Sequence, residues 1–247
     1  METLKLERIR DDVREIVRPF LEDVLKSDSS IHSIHIVGSV LTEDFVKGTS
    51  DINSVILINT MNFSFLDHIS ALGKKYGRKR IAAPLVITPE YMNDSLDTFP
   101  IEFLNFKLIH QTVYGPDVFS GIEIKKHELR LQCEREIKSK LLWLRQSYVS
   151  SAGDRKLLLE RMVRSLTGFL PLFRAISSLK GRNPQINGID EVRDIVSCCS
   201  LKTNAFEKIL RVKQGVHKPS TAEMPALFEE YYHATEEIAQ LINDLAV

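Results

Sequence analysis

The sequence predicts an α+β protein, with a mixed-sheet domain over residues 1–125 and an all-helical bundle over residues 126–247. Three observations predict it. In the first half, β-branched runs such as Ile31–Val37 and Asp51–Ile58 alternate with helical segments, the pattern of a mixed α/β sheet. From His127 onward, apolar residues recur only at helical spacing, beginning with Leu129, Cys133, Ile137, Leu141 and Leu144. Between the halves, Val113-Tyr114-Gly115-Pro116-Asp117 carries the Gly and Pro of a turn-rich exit.

Leu6, Ile9, Val13, Ile16, Val17, Phe20, Leu21, Val24 and Leu25 share one face of an N-terminal helix over about 5–26, ended by Lys26-Ser27-Asp28-Ser29-Ser30. A strand is expected at 31–37, then Gly38-Ser39 and a short helical segment to about Lys47. After the Gly48-Thr49-Ser50 turn comes a second strand, 51–58. Residues 64–77 read as helix, 81–88 as strand, a short helix opens at Pro89, and Phe99–Leu108 reads as a further strand. In the second half, helices are expected over 127–148, 154–180, 189–198, 203–213 and 221–245, most simply as a bundle.

Bulk properties narrow the function classes. Lys plus Arg and Asp plus Glu are 33 each, so no net charge draws the chain to nucleic acid or an anionic membrane. Nucleic acid is therefore not expected as a partner. The one dense basic run, Lys74 to Arg80, lacks interleaved aromatics and reads as a solvated helix end. Three cysteines without regular spacing make neither a disulfide framework nor a zinc site, and fit a reducing compartment. A charged N-terminus and the lack of an apolar run of about 18 residues predict a cytoplasmic chain without a membrane span.

The informative constellation is Ile34-His35-Ile36-Val37-Gly38-Ser39, then Ser50-Asp51-Ile52-Asn53. A glycine at the end of a strand lets backbone approach a ligand closely. Free N–H groups opening the next helix would suit phosphate. The second strand would then deliver Asp51 and Asn53 to the same side, because strand side chains alternate. Two oxygen ligands beside a phosphate would suit Mg²⁺.

This run resembles the signature of the DNA polymerase beta-like nucleotidyltransferase superfamily: an apolar residue, Gly-Ser, about ten residues, then Asp-x-Asp on a strand. Gly38, Ser39 and Asp51 match; Asn53 stands where the family has an acid. The helical second half is compatible with the bundle of the aminoglycoside-modifying members. The resemblance implies transfer of a nucleoside monophosphate from a nucleoside triphosphate such as ATP to a hydroxyl of a small molecule or protein. Gly38 and Ser39 would hold the triphosphate. Asp51, Asn53 and a third acid on a later strand would hold Mg²⁺. Glu102 is the candidate third acid, and position 105, now Asn105, is the other match. Asp51 and Glu102 would carry the catalysis, one of them helping to deprotonate the acceptor. A charge pair about 4 Å apart at an effective dielectric of about 20 is worth roughly 4 kcal/mol. Losing one carboxylate therefore predicts weak or absent Mg²⁺ binding.

Two rival readings stand beside this one. The chain is a catalytically impaired relative that binds a nucleotide or partner through the same cleft, or its helical half is an interaction module, with a homodimer left open. There are plainer readings too. Gly38-Ser39 is a strand-to-helix turn with Ser39 as cap, Asp51 a strand-start residue, Asn53 a polar residue at a vacated cleft, and Glu102 an edge-strand residue. His32, His35 and His110 read as structural or surface residues. Lys140 and Arg145, on the first helix of the second half, are further candidates for contact with a nucleotide.

Overall fold

The computed structural model describes residues 4–26 and 30–247; Ser27, Asp28 and Ser29, expected to end the first helix, lie outside the described residues. Chain contacts divide the protein into two compact units. One holds residues 1–97 and 103–123, and the other residues 98–102 and 124–247. The fold is α+β, as the sequence predicts.

The first unit is built on a four-stranded sheet: β1 (Ile31–Val37), β2 (Asn53–Ile58), β3 (Leu85–Ile87) and β4 (His110–Tyr114) in the order β3-β2-β1-β4. β1 is antiparallel to both β2 and β4, while β2 and β3 run parallel. One face of the sheet carries Ile34, Ile36, Ile52, Ile56, Ile58 and Val113. Against these lie Val13, Val17, Phe20 and Leu21 of α1 (Asp11–Leu25) and Phe65, Ile69 and Leu72 of α2 (Phe63–Tyr76). Each such side chain taken from water is worth about 1.5–3 kcal/mol, and this face is the unit's main store of stability. α1 starts later than the periodicity suggests. Leu6 and Ile9 are buried, yet they precede the helix, so their apolar spacing records packing and not helix.

The opposite face carries Val37, Val55, Leu57 and the buried polar pair Ser33 and His35. Phe119 lies on it, its ring centroid 4.6 Å from that of His35 and 5.2 Å from that of Phe106. His35 is fully buried and bonded on both ring nitrogens, Nδ1 to Thr112 Oγ1 at 3.0 Å and Nε2 to Ser33 Oγ at 2.9 Å. Burial, helped by the neighbouring His110, pushes its pKa from 6.5 down to about 4. The imidazole is thus neutral in the folded protein, whereas the unfolded chain protonates it below about 6.5. Its contribution is present above pH 6.5 and is lost as pH falls toward 4, a loss of about 3 kcal/mol. Urea unfolding between pH 7 and 4.5, with chelator so that no cation competes for the ring, should show this slope, and His35→Gln should flatten it.

The strand expected over 81–88 is shortened to Leu85–Ile87, and two further segments differ from the sequence expectation. Phe99–Leu108 is not a strand: Pro100–Leu108 forms a helix, α4, preceded by the short α3 (Pro89–Asp94). Pro100 sits in the first helical turn, where its missing N–H costs nothing. The strand lies just beyond, at His110–Tyr114, and takes in Val113 and Tyr114 of the expected turn.

In the second unit α5 (Lys126–Ser150), α6 (Arg155–Thr167), α7 (Leu170–Leu179), α8 (Gly188–Cys199), α9 (Ala205–Lys213) and α10 (Met224–Asp244) form the helical bundle. The single helix expected over 154–180 is two helices. Gly168 ends α6 and Pro171 opens α7, and proline cannot donate the bond that would continue the first helix. The break places Phe169 among Phe173, Phe206 and Tyr231, with ring centroids 5.5 to 5.7 Å from its own. Among the described residues no helix is long and apolar enough to cross a membrane.

Candidate functional site

Gly38 comes directly after β1 with φ +81°, a conformation that glycine adopts at no steric cost. Its N–H donates to Ile109 O at 3.2 Å, and a Cβ there would stand 3.9 Å from Asn53 Nδ2. The turn and Asn53 are therefore neighbours, as the register pair Val37–Asn53 also requires. The helical segment after Gly38 is shorter than expected. Ser39–Leu41 is a single 3₁₀ turn, after which the chain is irregular to Ile52. No helix dipole of useful length is aimed at the turn.

Asp51 precedes β2, and Ile52 between it and Asn53 is buried and bridged to Ile81. Asp51 and Asn53 are both exposed. The alternation puts their side chains on the side opposite Ile52. Arg80 stands beside them. Its carbonyl accepts from Ile52 N–H at 2.8 Å, and its guanidinium donates to Thr49 O and pairs with Asp51 Oδ1 at 3.4 Å. Arg80 is itself left-handed, with φ 65°, a conformation few side-chain-bearing residues adopt. The chain alongside Asp51–Asn53 continues Ile81-Ala82-Ala83, without an acid.

Glu102 is not on a strand. It sits on α4 and belongs to the second unit, where Gln132 Nε2 donates to its Oε2 at 2.8 Å. Gln132 Oε1 in turn accepts from Ile101 N–H at 2.7 Å. The expected edge or cleft strand does not exist, so Glu102 has no strand to carry it beside Asp51. Asn105 is on the same helix.

These residues do not fit a two-ion Mg²⁺ centre. Such a centre needs several anionic oxygens converging on one place. Asp51 is a single carboxylate already paired with a guanidinium, its strand partner is an amide, and the neighbouring chain is apolar. Among the described residues Asp51 belongs to no cluster of three ligating side chains.

In the second unit, Arg145 is engaged by Tyr232 and Glu236. Lys140 lies within a cavity of about 440 Å³ lined also by Trp143, Arg164 and Gly168. Its ammonium is 4.8 Å from the Phe169 ring centroid, and burial lowers its pKa.

No protein-family model matches the chain, and no curated protein matches it. Among solved structures, the chain is similar to spectinomycin adenyltransferase AAD(9) from Enterococcus faecialis, crystallised with ATP and spectinomycin. The TM-score is 0.52 at 12% sequence identity, over 96% of this chain and 99% of that one. At that identity the likeness establishes the fold alone, a mixed-sheet domain with helices after it.

Proposed function

We propose that the first unit binds a nucleoside triphosphate at the Gly38–Ser39 turn, with transfer chemistry impaired and a protein cation serving in place of Mg²⁺. The observation that carries this reading is Arg80. A guanidinium fixed beside Asp51 neutralises the one remaining carboxylate and leaves further N–H donors for phosphate oxygens. The fold shared with an adenyltransferase supports a nucleotide as ligand. Asn53 two residues from Asp51, and the acid-free chain Ile81-Ala82-Ala83 alongside, support the loss of tight metal binding.

The test is a thermal-unfolding panel of the four ribonucleoside triphosphates, each with Mg²⁺ and with chelator. A ligand at 100 times its dissociation constant stabilises by about 2.7 kcal/mol, a rise of several degrees. The expected result is a rise that survives chelation and is lost in Arg80→Ala. Asn53→Asp should make the rise respond to Mg²⁺. A rise that needs Mg²⁺ in the unaltered chain would favour a working transferase, acting on a small-molecule or protein hydroxyl. No rise with any nucleotide would overturn nucleotide binding and leave the helical unit as an interaction module.

A further inference from the structure

The sheet face opposite α1 and α2 gathers three side chains that the nucleotide reading does not use. His35 is on β1, His110 on β4, and Asp117 on the turn after β4. One ligating atom from each lies within 4.8 Å of the other two. The strand register makes the histidines neighbours. His35 pairs with Thr112 and Val37 with His110, so His35 and His110 lie two residues apart along paired strands with their side chains on one face. Their ring centroids are 5.9 Å apart.

We propose that His35, His110 and Asp117 form a binding site for a first-row transition ion, Zn²⁺ above all, independent of the nucleotide site. Two imidazoles and one carboxylate are the donor set of an open zinc site, with a fourth position left for water. Bonds of about 2.0–2.2 Å set neighbouring donors on such an ion about 3.3 Å apart. His110 Nε2 and Asp117 Oδ1 are already 3.0 Å apart. His35 needs to approach by about 1.5 Å to join them, within the reach of a ring rotation.

The turn hydrogen bonds of Asp117 to Phe119 N, Ser120 N and Ser120 Oγ account for Asp117 as a loop former. They do not account for His110. Its side chain is 8% exposed, its Nδ1 is buried without a hydrogen-bond partner, and its ring stands at 5.5 Å from the Phe119 centroid. Nε2, aimed at Asp117, is the ring's bonded nitrogen and the one placed to ligate.

The surroundings favour coordination. His35 gives up one of its two hydroxyl bonds when that nitrogen turns to the ion, and the other bond holds the ring, as hydrogen-bonded groups hold ligating histidines in metal sites. Phe119 and Phe106 exclude water from one side. The Asp117 side chain is 43% exposed and gives the ion an entry path. The hydrogen that Nε2 of His110 shares with Asp117 shifts to Nδ1 when Nε2 becomes a ligand, so the ring stays neutral. Nitrogen donors select Zn²⁺, Co²⁺ or Ni²⁺ over Mg²⁺.

The experiment is calorimetric titration of the full chain, stripped with chelator, with Zn²⁺ and separately with Mg²⁺. A Co²⁺ titration monitored by visible absorption reports coordination geometry. Expected are one Zn²⁺ per chain, four- or five-coordinate Co²⁺ bands and no response to Mg²⁺. His110→Gln and Asp117→Asn should each weaken binding by at least about tenfold. Their unfolding curves in chelator establish that both variants are folded. His233→Gln, an exposed histidine beside Glu236, is the control and should change nothing. Zn²⁺ binding undiminished in both site variants would assign the ion to surface histidines and overturn the proposal, as would no binding.

Discussion

Replacing Arg174 by methionine will destabilise the helical unit by about 3–5 kcal/mol, the cost of leaving a buried charge without its partner. Arg174 on α7 and Glu191 on α8 form the most deeply buried ion pair among the described residues, with side chains 11% and 1% exposed. Nε of Arg174 donates to Glu191 Oε1 at 2.9 Å, and one terminal nitrogen donates to the same oxygen. Along the same pair of helices, Ser177 Oγ donates to Asp194 Oδ2 at 2.5 Å, and Arg182 reaches Asp194 Oδ1 at 2.8 Å. A drop of roughly 6–20 °C in melting temperature is expected for a chain this size. The double replacement Arg174→Met with Glu191→Leu should recover most of the loss, because two apolar side chains of similar volume avoid the desolvation that the ion pair must offset. A double variant as unstable as Arg174→Met would show that the pair acts through something besides charge.

The strands and helices that the sequence shows clearly are those that bury one continuous face. β1 and α2 stand within about a residue of their expected spans because Ile34, Ile36, Phe65, Ile69 and Leu72 sit at periods of two and of three to four. The errors arise where tertiary contacts override that signal. Phe99–Leu108 is apolar enough to read as a strand, yet Ile101, Phe103 and Leu104 are the buried positions of a helix opened by Pro100. Proline at a first helical position is the cue that would have identified it. The edge strand His110–Tyr114 alternates polar residues with Gln111 and Val113, and buried Gln111 reads as a loop residue until its partner is known. That partner is Lys5 O, at 2.8 Å and more than a hundred residues away in sequence.

The candidate site was legible to a similar extent and for similar reasons. Gly38, Ser39, Asp51 and Asn53 are local in sequence and are brought together by one strand pair. Arg80 was hidden inside a basic run that reads as a solvated helix end. Only the parallel step from Ile52 to Ile81 puts it beside Asp51. Glu102 was read on a strand, and the structure puts it on a helix instead. His35 and His110, each unremarkable alone, become a pair only through the β1–β4 register.

Alanine at Gly115 will cost about 4 kcal/mol and about 10 °C in melting temperature, and the damage will centre on this β1–β4 seam. Gly115 comes directly after β4 with φ +72°. Left-handed backbone alone costs a side-chain-bearing residue about 1–2 kcal/mol. The rest is steric: a Cβ at this position would stand 2.2 Å from His32 O and 3.0 Å from Ser33 Cα. Both atoms belong to the β1 backbone, so relief requires parting β1 from β4 and not the turn of a side chain. Gly48 supplies the control, with φ +79° and nothing within 4 Å of the added carbon. Gly48→Ala should cost only the dihedral strain, so the difference between the two variants measures the clash. Parting the strands also separates His35 from Thr112 and moves Asp117 relative to His110. Gly115→Ala should therefore lose Zn²⁺ binding as well as stability, whereas Gly48→Ala keeps it. Equal melting temperatures for the two variants would mean that the end of β4 yields freely and that the turn does not hold the seam together.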